Sequence, residues 1–116
     1  MSDMIREFPP IEWKDCYPTE ESITALSMVG HTVGDIDEAA RYLRQELAKC
    51  AEHCCASYEE EPAIDIGGTP CLHLHFSTGG WSGAEDLMDE LLDKFWIDYL
   101  MLQWNRGGHY IFEVTA

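Results

Sequence analysis

Basic residues are scarce in this sequence. Its 116 residues include only 7 Lys and Arg against 22 Asp and Glu, which gives a formal net charge of -15 at pH 7. A chain this acidic is repelled by phosphates and by anionic lipid, so the composition argues against direct binding of nucleic acid or of a membrane surface. The same charge speeds the approach to basic surfaces. We therefore expect a positively charged protein as the partner.

Long apolar runs are also missing. No window approaches the roughly 18 apolar residues that a membrane-spanning helix needs, and the first residues contain no apolar stretch typical of a signal peptide. The 5 cysteines are odd in number and follow no regular framework, which argues against a disulfide-stabilised secreted domain. We therefore predict a protein of the reduced cytoplasm.

Apolar and aromatic residues are plentiful by contrast. The hydrophobic fraction is 46%, with 4 Trp, 5 Tyr and 4 Phe. Disordered acidic chains are poor in such residues, and this length suits one domain with its own core. We predict a single acidic domain over residues 1–116, in which residues 1–33 are irregular except for a short helix that Thr19 caps and that ends near Met28.

The spacing of apolar residues predicts a long helix in the middle of the chain. Asp35 is a suitable N-cap with Glu38 three residues further on, the pattern of a capping box. We expect the helix to run from there to about Tyr58, with one stripe facing a core. Its apolar residues recur at intervals of three and four: Ile36, Ala40, Leu43, Leu47, Cys50 and Cys54.

A hairpin is predicted after this helix. The acidic run before Pro62 ends the helix, and residues 63–66 and 71–77 form two short strands joined by the glycine-rich residues 67–70. The second strand alternates with the period of two that is typical of a half-buried strand, and we expect its leucine face to contact the core. One face carries Leu72, Leu74 and Phe76, and the other carries Cys71, His73 and His75.

A second helix is predicted after the hairpin. Ser82 and Glu85 match the Ser-x-x-Glu capping box, so we expect a helix from Gly83 to about Lys94. Its buried stripe consists of Leu87, Leu91 and Phe95.

The chain ends in a predicted second hairpin. Residues 96–104 and 109–114 are rich in aromatic residues, which suits strands, and the segment between them is a glycine-rich turn. Together the elements predict an α+β fold: an antiparallel four-stranded sheet of two hairpins, with two to three helices on one face.

Carboxylates dominate the exposed side of the second predicted helix. They recur at spacings of three and four, so neighbours lie about 5–6 Å apart, and such a stripe imitates the phosphates along a nucleic-acid strand. The alternative is an ordinary solvated helix face. We predict that the partner binds the helix residues Glu85, Asp86, Asp89, Glu90 and Asp93, with Glu59, Glu60 and Glu61 as a second group.

Cysteine and histidine suggest a rival function. The helical spacing of Cys50 and Cys54, and the same-face spacing of His73 and His75, would supply four ligands to a zinc ion. The alternative is that both cysteines are small buried hydrophobic residues, and we predict no metal or other cofactor.

No arrangement of residues indicates an enzyme. Cys54 and Cys55 lie among acids near a helix C-terminus, which raises a thiol pKa, and no carboxylate pair is distinguished as acid and base. Aromatic residues of the last hairpin provide core packing, a hot spot for binding another protein, or a contact between two copies. A monomer, and a homodimer that acts as an accessory protein, therefore both stay open. These aromatic residues are Trp96, Tyr99, Trp104, Tyr110 and Phe112.

The last third of the chain resembles a segment of small proteins of bacterial viruses and prophages. The matching pieces are STGGWSGAEDL, FWIDYLMLQW and RGGHYIFEV. Small acidic proteins of this origin are similar in type to anti-CRISPR inhibitors, some of which fill nucleic-acid channels with negative charge. The resemblance therefore implies an anti-defence protein in the host bacterial cytoplasm that blocks a basic nucleic-acid-binding complex, with a CRISPR effector as the first expectation.

Overall fold

The structure, a computed structural model, describes residues 8–29, 36–54, 56–93, 100–105 and 108–115. Within these ranges the chain forms three helices and six strands. The strands are β1 Trp13–Lys14, β2 Tyr17–Pro18, β3 Ser57–Ile64, β4 Pro70–Ser77, β5 Met101–Asn105 and β6 His109–Thr115; the helices are α1 Glu20–Ser27, α2 Ile36–His53 and α3 Ser82–Leu92.

The main sheet has four antiparallel strands in the order β3-β4-β6-β5. Two hairpins, β3 with β4 and β5 with β6, lie side by side through the pairing of β4 with β6. This confirms the predicted α+β fold with its two-hairpin sheet. A separate two-stranded ribbon, β1 with β2, lies in the segment that we predicted to be irregular.

One face of the sheet contacts the core, as the alternation in β4 predicts. Leu74 and Phe76 of β4 are almost fully buried, Leu72 is partly buried, and Phe112 and Val114 of β6 continue the same face. Buried residues of the three helices pack into the same cluster. We call this face the inner face, and the opposite one the outer face.

The first helix follows its prediction closely. Thr19 is the N-cap of α1 and its hydroxyl accepts a hydrogen bond from the Ser22 amide at 3.2 Å. This satisfies one of the amide groups that a helix leaves unpaired at its start. The helix ends at Ser27 and Met28 is its C-cap.

The long helix is shorter than predicted. α2 ends at His53 rather than near Tyr58, because the chain from Ser57 onward joins the sheet. Four residues of the predicted stripe are buried as expected: Ala40, Leu43, Leu47 and Cys50. The prediction is wrong at Ile36, which is 41% exposed in the first turn of the helix, and Cys54 is only partly buried. The predicted cap Asp35 lies outside the described residues.

The first hairpin also differs from its prediction. β3 runs over Ser57–Ile64 and therefore contains Pro62, which we expected to break the structure before the strand. β3 is an edge strand, where a residue without an N–H is tolerated. The turn comprises residues 65–69 and begins at Asp65, whose carboxylate accepts hydrogen bonds from the Gly67 and Thr69 amides at 2.9 Å.

The capping box predicted for the second helix is wrong. α3 begins at Ser82, and the extended residue Trp81 is its N-cap without a side-chain hydrogen bond. The Ser82 hydroxyl instead forms a hydrogen bond with the Tyr17 hydroxyl at 3.0 Å. The buried residues Leu87 and Leu91 confirm the predicted stripe, while residues 94 and 95 lie outside the described ranges.

The last hairpin is shorter than predicted at its start. β5 begins at Met101, Leu100 is helical, and residues 96–99 lie outside the described ranges. Gly108 has a positive φ of 82° and leaves no room for a side chain, because a Cβ there would lie 2.2 Å from the Thr78 hydroxyl. In the described part of the chain, no helix combines the length and apolar character needed to cross a bilayer.

Candidate functional site

The carboxylates predicted on the second helix all lie on α3 or at its C-cap. Glu85, Asp86, Asp89 and Asp93 are exposed, and Glu90 is partly exposed. The opposite side of α3 buries its apolar residues in the core. The predicted stripe therefore forms one acidic wall on the surface.

This wall borders a groove of about 490 Å³. The other side of the groove is formed by α1 and the end of β2, which contribute Glu20, Ile23 and Pro18. The groove therefore combines two apolar residues on one side with carboxylates from both helices. The groove residues are Pro18, Glu20, Ile23, Asp86, Asp89, Glu90 and Asp93, which we call the acidic groove.

The β1–β2 ribbon holds α3 in place beside the groove. The Trp81 indole N–H donates a hydrogen bond to the Cys16 carbonyl at 2.7 Å, and the Trp81 and Tyr17 rings lie 5.3 Å apart. Gly83 permits this approach, since a Cβ there would lie only 2.4 Å from the Cys16 carbonyl oxygen. The start of α3 is therefore fixed against the ribbon by packing and by hydrogen bonds.

Part of the negative charge on the acidic wall is not offset by ion pairs among the described residues. No ion pair reaches Glu85, Asp86 or Asp89 from any residue that the structure describes. Glu90 lies in the last turn of α3 and Asp93 is its C-cap, and the last turn has no basic residue. The negative end of the helix dipole disfavours carboxylates there. A basic partner would relieve both kinds of repulsion.

The second predicted group of acids is divided between the two faces of the sheet. Glu60 forms a bidentate ion pair with Arg44 of α2, with both distances 2.9 Å, and accepts a hydrogen bond from the Tyr58 hydroxyl. The Arg44 and Tyr58 contacts hold the pKa of the Glu60 carboxyl below its ordinary value. Glu59 and Glu61 alternate with Glu60 and lie on the outer face. Glu60 is thus neutralised within the protein and is a weaker candidate for partner binding than the acidic groove.

The structure does not bring together the four residues of the hypothetical zinc site. Cys50 is fully buried in the core that covers the inner face, whereas His73 and His75 lie on the outer face of β4. Burial raises the pKa of the Cys50 thiol, and the Cys54 thiol donates to the Cys16 carbonyl at 3.4 Å. The predicted set is therefore corrected: Cys50 is a core residue, as the alternative interpretation had it.

The two histidines have other neighbours on the outer face. The register places His73 between Glu61 of β3 and Glu113 of β6. His73 Nε2 lies 3.0 Å from Glu113 Oε2, and His75 Nε2 lies 2.9 Å from Glu61 Oε1. Cys71 precedes His73 on the same face and is 5% exposed. We call Glu61, Cys71, His73, His75 and Glu113 the outer-face cluster.

Sequence reasoning did not find Glu20 or Glu113 as site residues. Glu20 lies in the first turn of α1, and its place in the groove depends on the packing of α1 against α3. Glu113 alternates with the buried residues Phe112 and Val114, so its outward direction was readable. Its position opposite His73 required the strand register, which no local pattern gives.

The aromatic residues of the last hairpin are core residues where the structure describes their side chains. Tyr110 is 8% exposed and Phe112 is fully buried, which favours the core-packing interpretation for these two. Trp96, Tyr99 and the Trp104 side chain lie outside the described part.

No known protein family, curated protein sequence or solved structure matches this chain. The resemblance of its last third to proteins of bacterial viruses therefore stays a prediction, and function has to be argued from the chain itself.

Proposed function

We propose that this chain is a non-enzymatic inhibitor that binds the basic, nucleic-acid-binding surface of a partner protein and excludes nucleic acid from it. The observation that carries the proposal is the acidic groove, which four carboxylates of α3 and its C-cap line together with Glu20 of α1 and two apolar residues. The resemblance to proteins of bacterial viruses favours a host defence complex as the partner, with a CRISPR effector first.

The arrangement of the acidic residues supports this proposal more strongly than the net charge does. The net charge of -15 alone would favour solubility and fast encounter with any basic surface. The α3 carboxylates in addition share one helix face, recur at the helical spacing of about 5–6 Å, and include three without an ion pair in the described structure. Lysine and arginine residues of a partner that normally bind successive phosphates of a nucleic acid could bind the α3 carboxylates in the same way.

The two apolar residues give the groove a means of selecting its partner. Ile23 and Pro18 line the groove on the side opposite the acidic wall, so a partner that buries them gains contact area that mobile counterions cannot provide. A basic side chain with a long aliphatic stem, such as arginine, satisfies both parts of the groove.

The test begins with partner capture at low salt. The tagged protein is incubated with bacterial lysate, bound proteins are eluted with a salt gradient, and the DNA binding of the purified partner is measured with increasing amounts of this protein. We expect DNA binding to be lost. The affinity between the two proteins should fall at least about tenfold between 50 and 200 mM salt, because the contacts are ionic.

Matched variants show whether the acidic groove is responsible. Asp86→Lys with Asp89→Lys reverses two charges in the groove, and Glu12→Lys with Glu52→Lys makes the same change in net charge at exposed positions outside it. The groove variant should abolish inhibition while the control retains most of it. Binding that is insensitive to salt, or equal loss in both variants, would contradict the proposal.

A further inference from the structure

We infer that the outer face of the sheet carries a binding site for one divalent transition-metal ion, with His73, His75 and Glu61 as ligands and Glu113 as the residue that positions the His73 ring. This inference is independent of the acidic groove. It rests on the outer-face cluster, whose members come from three adjacent strands.

The distances within the cluster suit a small metal ion. The donor atoms of Glu61, His73 and His75 all lie within 4.8 Å of one another. Ligands at the usual zinc distances of about 2.0–2.1 Å are separated by about 3.3 Å in a tetrahedral site. The 2.9 Å contact between Glu61 and His75 therefore needs to open only slightly for an ion to enter between the two atoms.

The donor types also suit such an ion. Two imidazoles and one carboxylate form a set that zinc and other first-row divalent metals bind, whereas calcium and magnesium prefer oxygen ligands alone. The Glu61 side chain is 62% exposed and the His75 side chain 39%, so an ion reaches the site directly from solvent. A fourth position is available to water.

Glu113 supplies the support that metal-binding histidines ordinarily have. Its carboxylate contacts His73 Nε2 at 3.0 Å, and a histidine held in this way through one ring nitrogen presents the other to the metal. Rigid backbone pairing on both sides of β4 fixes the spacing of the two histidines. The site is thus built on paired strands rather than on a loop.

A second set of ligands shares His73. Cys71, His73 and Glu113 also have donor atoms within 4.8 Å of one another. We favour the first set because it uses both imidazoles and is open to solvent, whereas Cys71 is almost fully buried. Cobalt distinguishes the two sets, since a thiolate ligand adds an intense charge-transfer band in the near ultraviolet.

The experiment is a titration of the chelator-treated full chain with Zn²⁺ by calorimetry, and with Co²⁺ by visible absorption. We expect one equivalent of Zn²⁺ to bind, and Co²⁺ to give visible bands without a thiolate band. Glu113→Gln should weaken binding by about 10–100-fold, the usual cost of losing such a positioning group. His73→Gln and His75→Gln should each weaken it at least as much.

His109→Gln is the matched control. His109 is an exposed histidine on the same face of the neighbouring strand β6 and belongs to neither ligand set. Its replacement should leave the Zn²⁺ affinity unchanged, and thermal unfolding of each metal-free variant confirms that it is folded. Equal weakening in His109→Gln and His73→Gln would show diffuse attraction to an acidic surface and overturn the inference. A thiolate band that disappears in Cys71→Ser would overturn the assignment of Glu61 and His75.

Discussion

The two faces of the main sheet are built from the same strands and differ in almost every physical respect. The inner face presents Leu74, Phe76 and Phe112 to a continuous apolar cluster. The outer face presents histidines and glutamates that contact one another across the strands and remain open to water. Side chains that alternate along β4 therefore serve different purposes: one set stabilises the fold and the other is available for binding.

The comparison teaches where substitutions should affect stability and where they should affect binding alone. Complete burial of one large apolar side chain stabilises the fold by about 1.5–3 kcal/mol. One exposed ion pair contributes only about 0–1 kcal/mol. We expect changes on the inner face to cost several times more stability than changes on the outer face or in the acidic groove.

The largest effect is expected from Phe112→Ala on the inner face. This side chain is fully buried, so its removal should lower the free energy of unfolding by about 3–5 kcal/mol. The neighbouring residue Ile111 points to the outer face and is only partly buried, so Ile111→Ala should cost less than about 2 kcal/mol. Urea unfolding of both variants measures the difference, and equal losses would break the contrast between the faces.

We expect Glu46 of α2 to make the free energy of unfolding depend on pH. Its side chain is fully buried, pairs with Lys49 at 3.1 Å and accepts a hydrogen bond from the Ile11 amide. Burial raises the pKa of this carboxyl above its ordinary value of 4.5, and Lys49 only partly opposes that shift. The folded state therefore binds the proton more tightly, and this contribution to stability is lost as the pH rises from 4.5 through the raised pKa.

The measurement for Glu46 is the difference in unfolding free energy between the native chain and Glu46→Gln across this pH range. The native chain should lose stability relative to the variant as the pH rises. Glu60→Gln is an informative control, because the lowered pKa of Glu60 gives the opposite trend: its contribution is present above pH 4.5 and is lost as the pH falls. Parallel curves for both variants would contradict the assignment.

A smaller effect is expected from the His73–Glu113 pair on the outer face. Both side chains are partly exposed, and cross-strand pairs of this kind contribute about 0.2–1 kcal/mol. A double-mutant cycle with His73→Gln and Glu113→Gln in chelator measures this coupling without metal. A coupling above about 2 kcal/mol would assign the pair a structural role instead.

The smallest effect on stability is expected in the acidic groove, and its sign is reversed. Asp86→Asn with Asp89→Asn removes repulsion between like charges on α3, each pair of which costs about 0.2–0.5 kcal/mol. The variant should unfold at slightly higher temperature at low salt, with the gain vanishing at high salt. A loss of stability would show that these carboxylates have partners within the fold.

Patterns of neighbouring residues were sufficient to predict some of the helices and strands. The Thr19 cap predicted α1, and the alternation of leucine and histidine in β4 predicted both faces of the strand. The same reasoning failed for β3, because three glutamates and Pro62 favour a loop and only pairing with β4 makes them a strand. It failed at Ser82 as well, since the ribbon carrying Tyr17 engages that hydroxyl instead of the helix end.

For the candidate sites too, residues that are brought together only by long-range packing could not be predicted from the sequence. The acids of α3 and the paired histidines of β4 were readable along the chain. Glu20 and Glu113 join them only through packing of α1 on α3 and through the register of β6, which are long-range properties. The prediction that Cys50 belongs to a zinc site was wrong. Helical spacing does not show that the sheet lies between Cys50, which is in the core on the inner face, and the histidines on the outer face.

The acidic edge strand β3 has one more consequence, for the behaviour of the protein at high concentration. A strand at the edge of a sheet ordinarily offers a template on which a second chain adds its own strand, and aggregation follows. In β3 the residues Glu59, Glu60, Glu61 and Pro62 occupy that edge. Two copies that joined there in an antiparallel pair would bring Glu59 and Glu61 of each chain close together, because Glu60 is already paired with Arg44, and would lack an N–H donor at the proline. We therefore expect this edge to resist the addition of a strand from a second copy at high protein concentration.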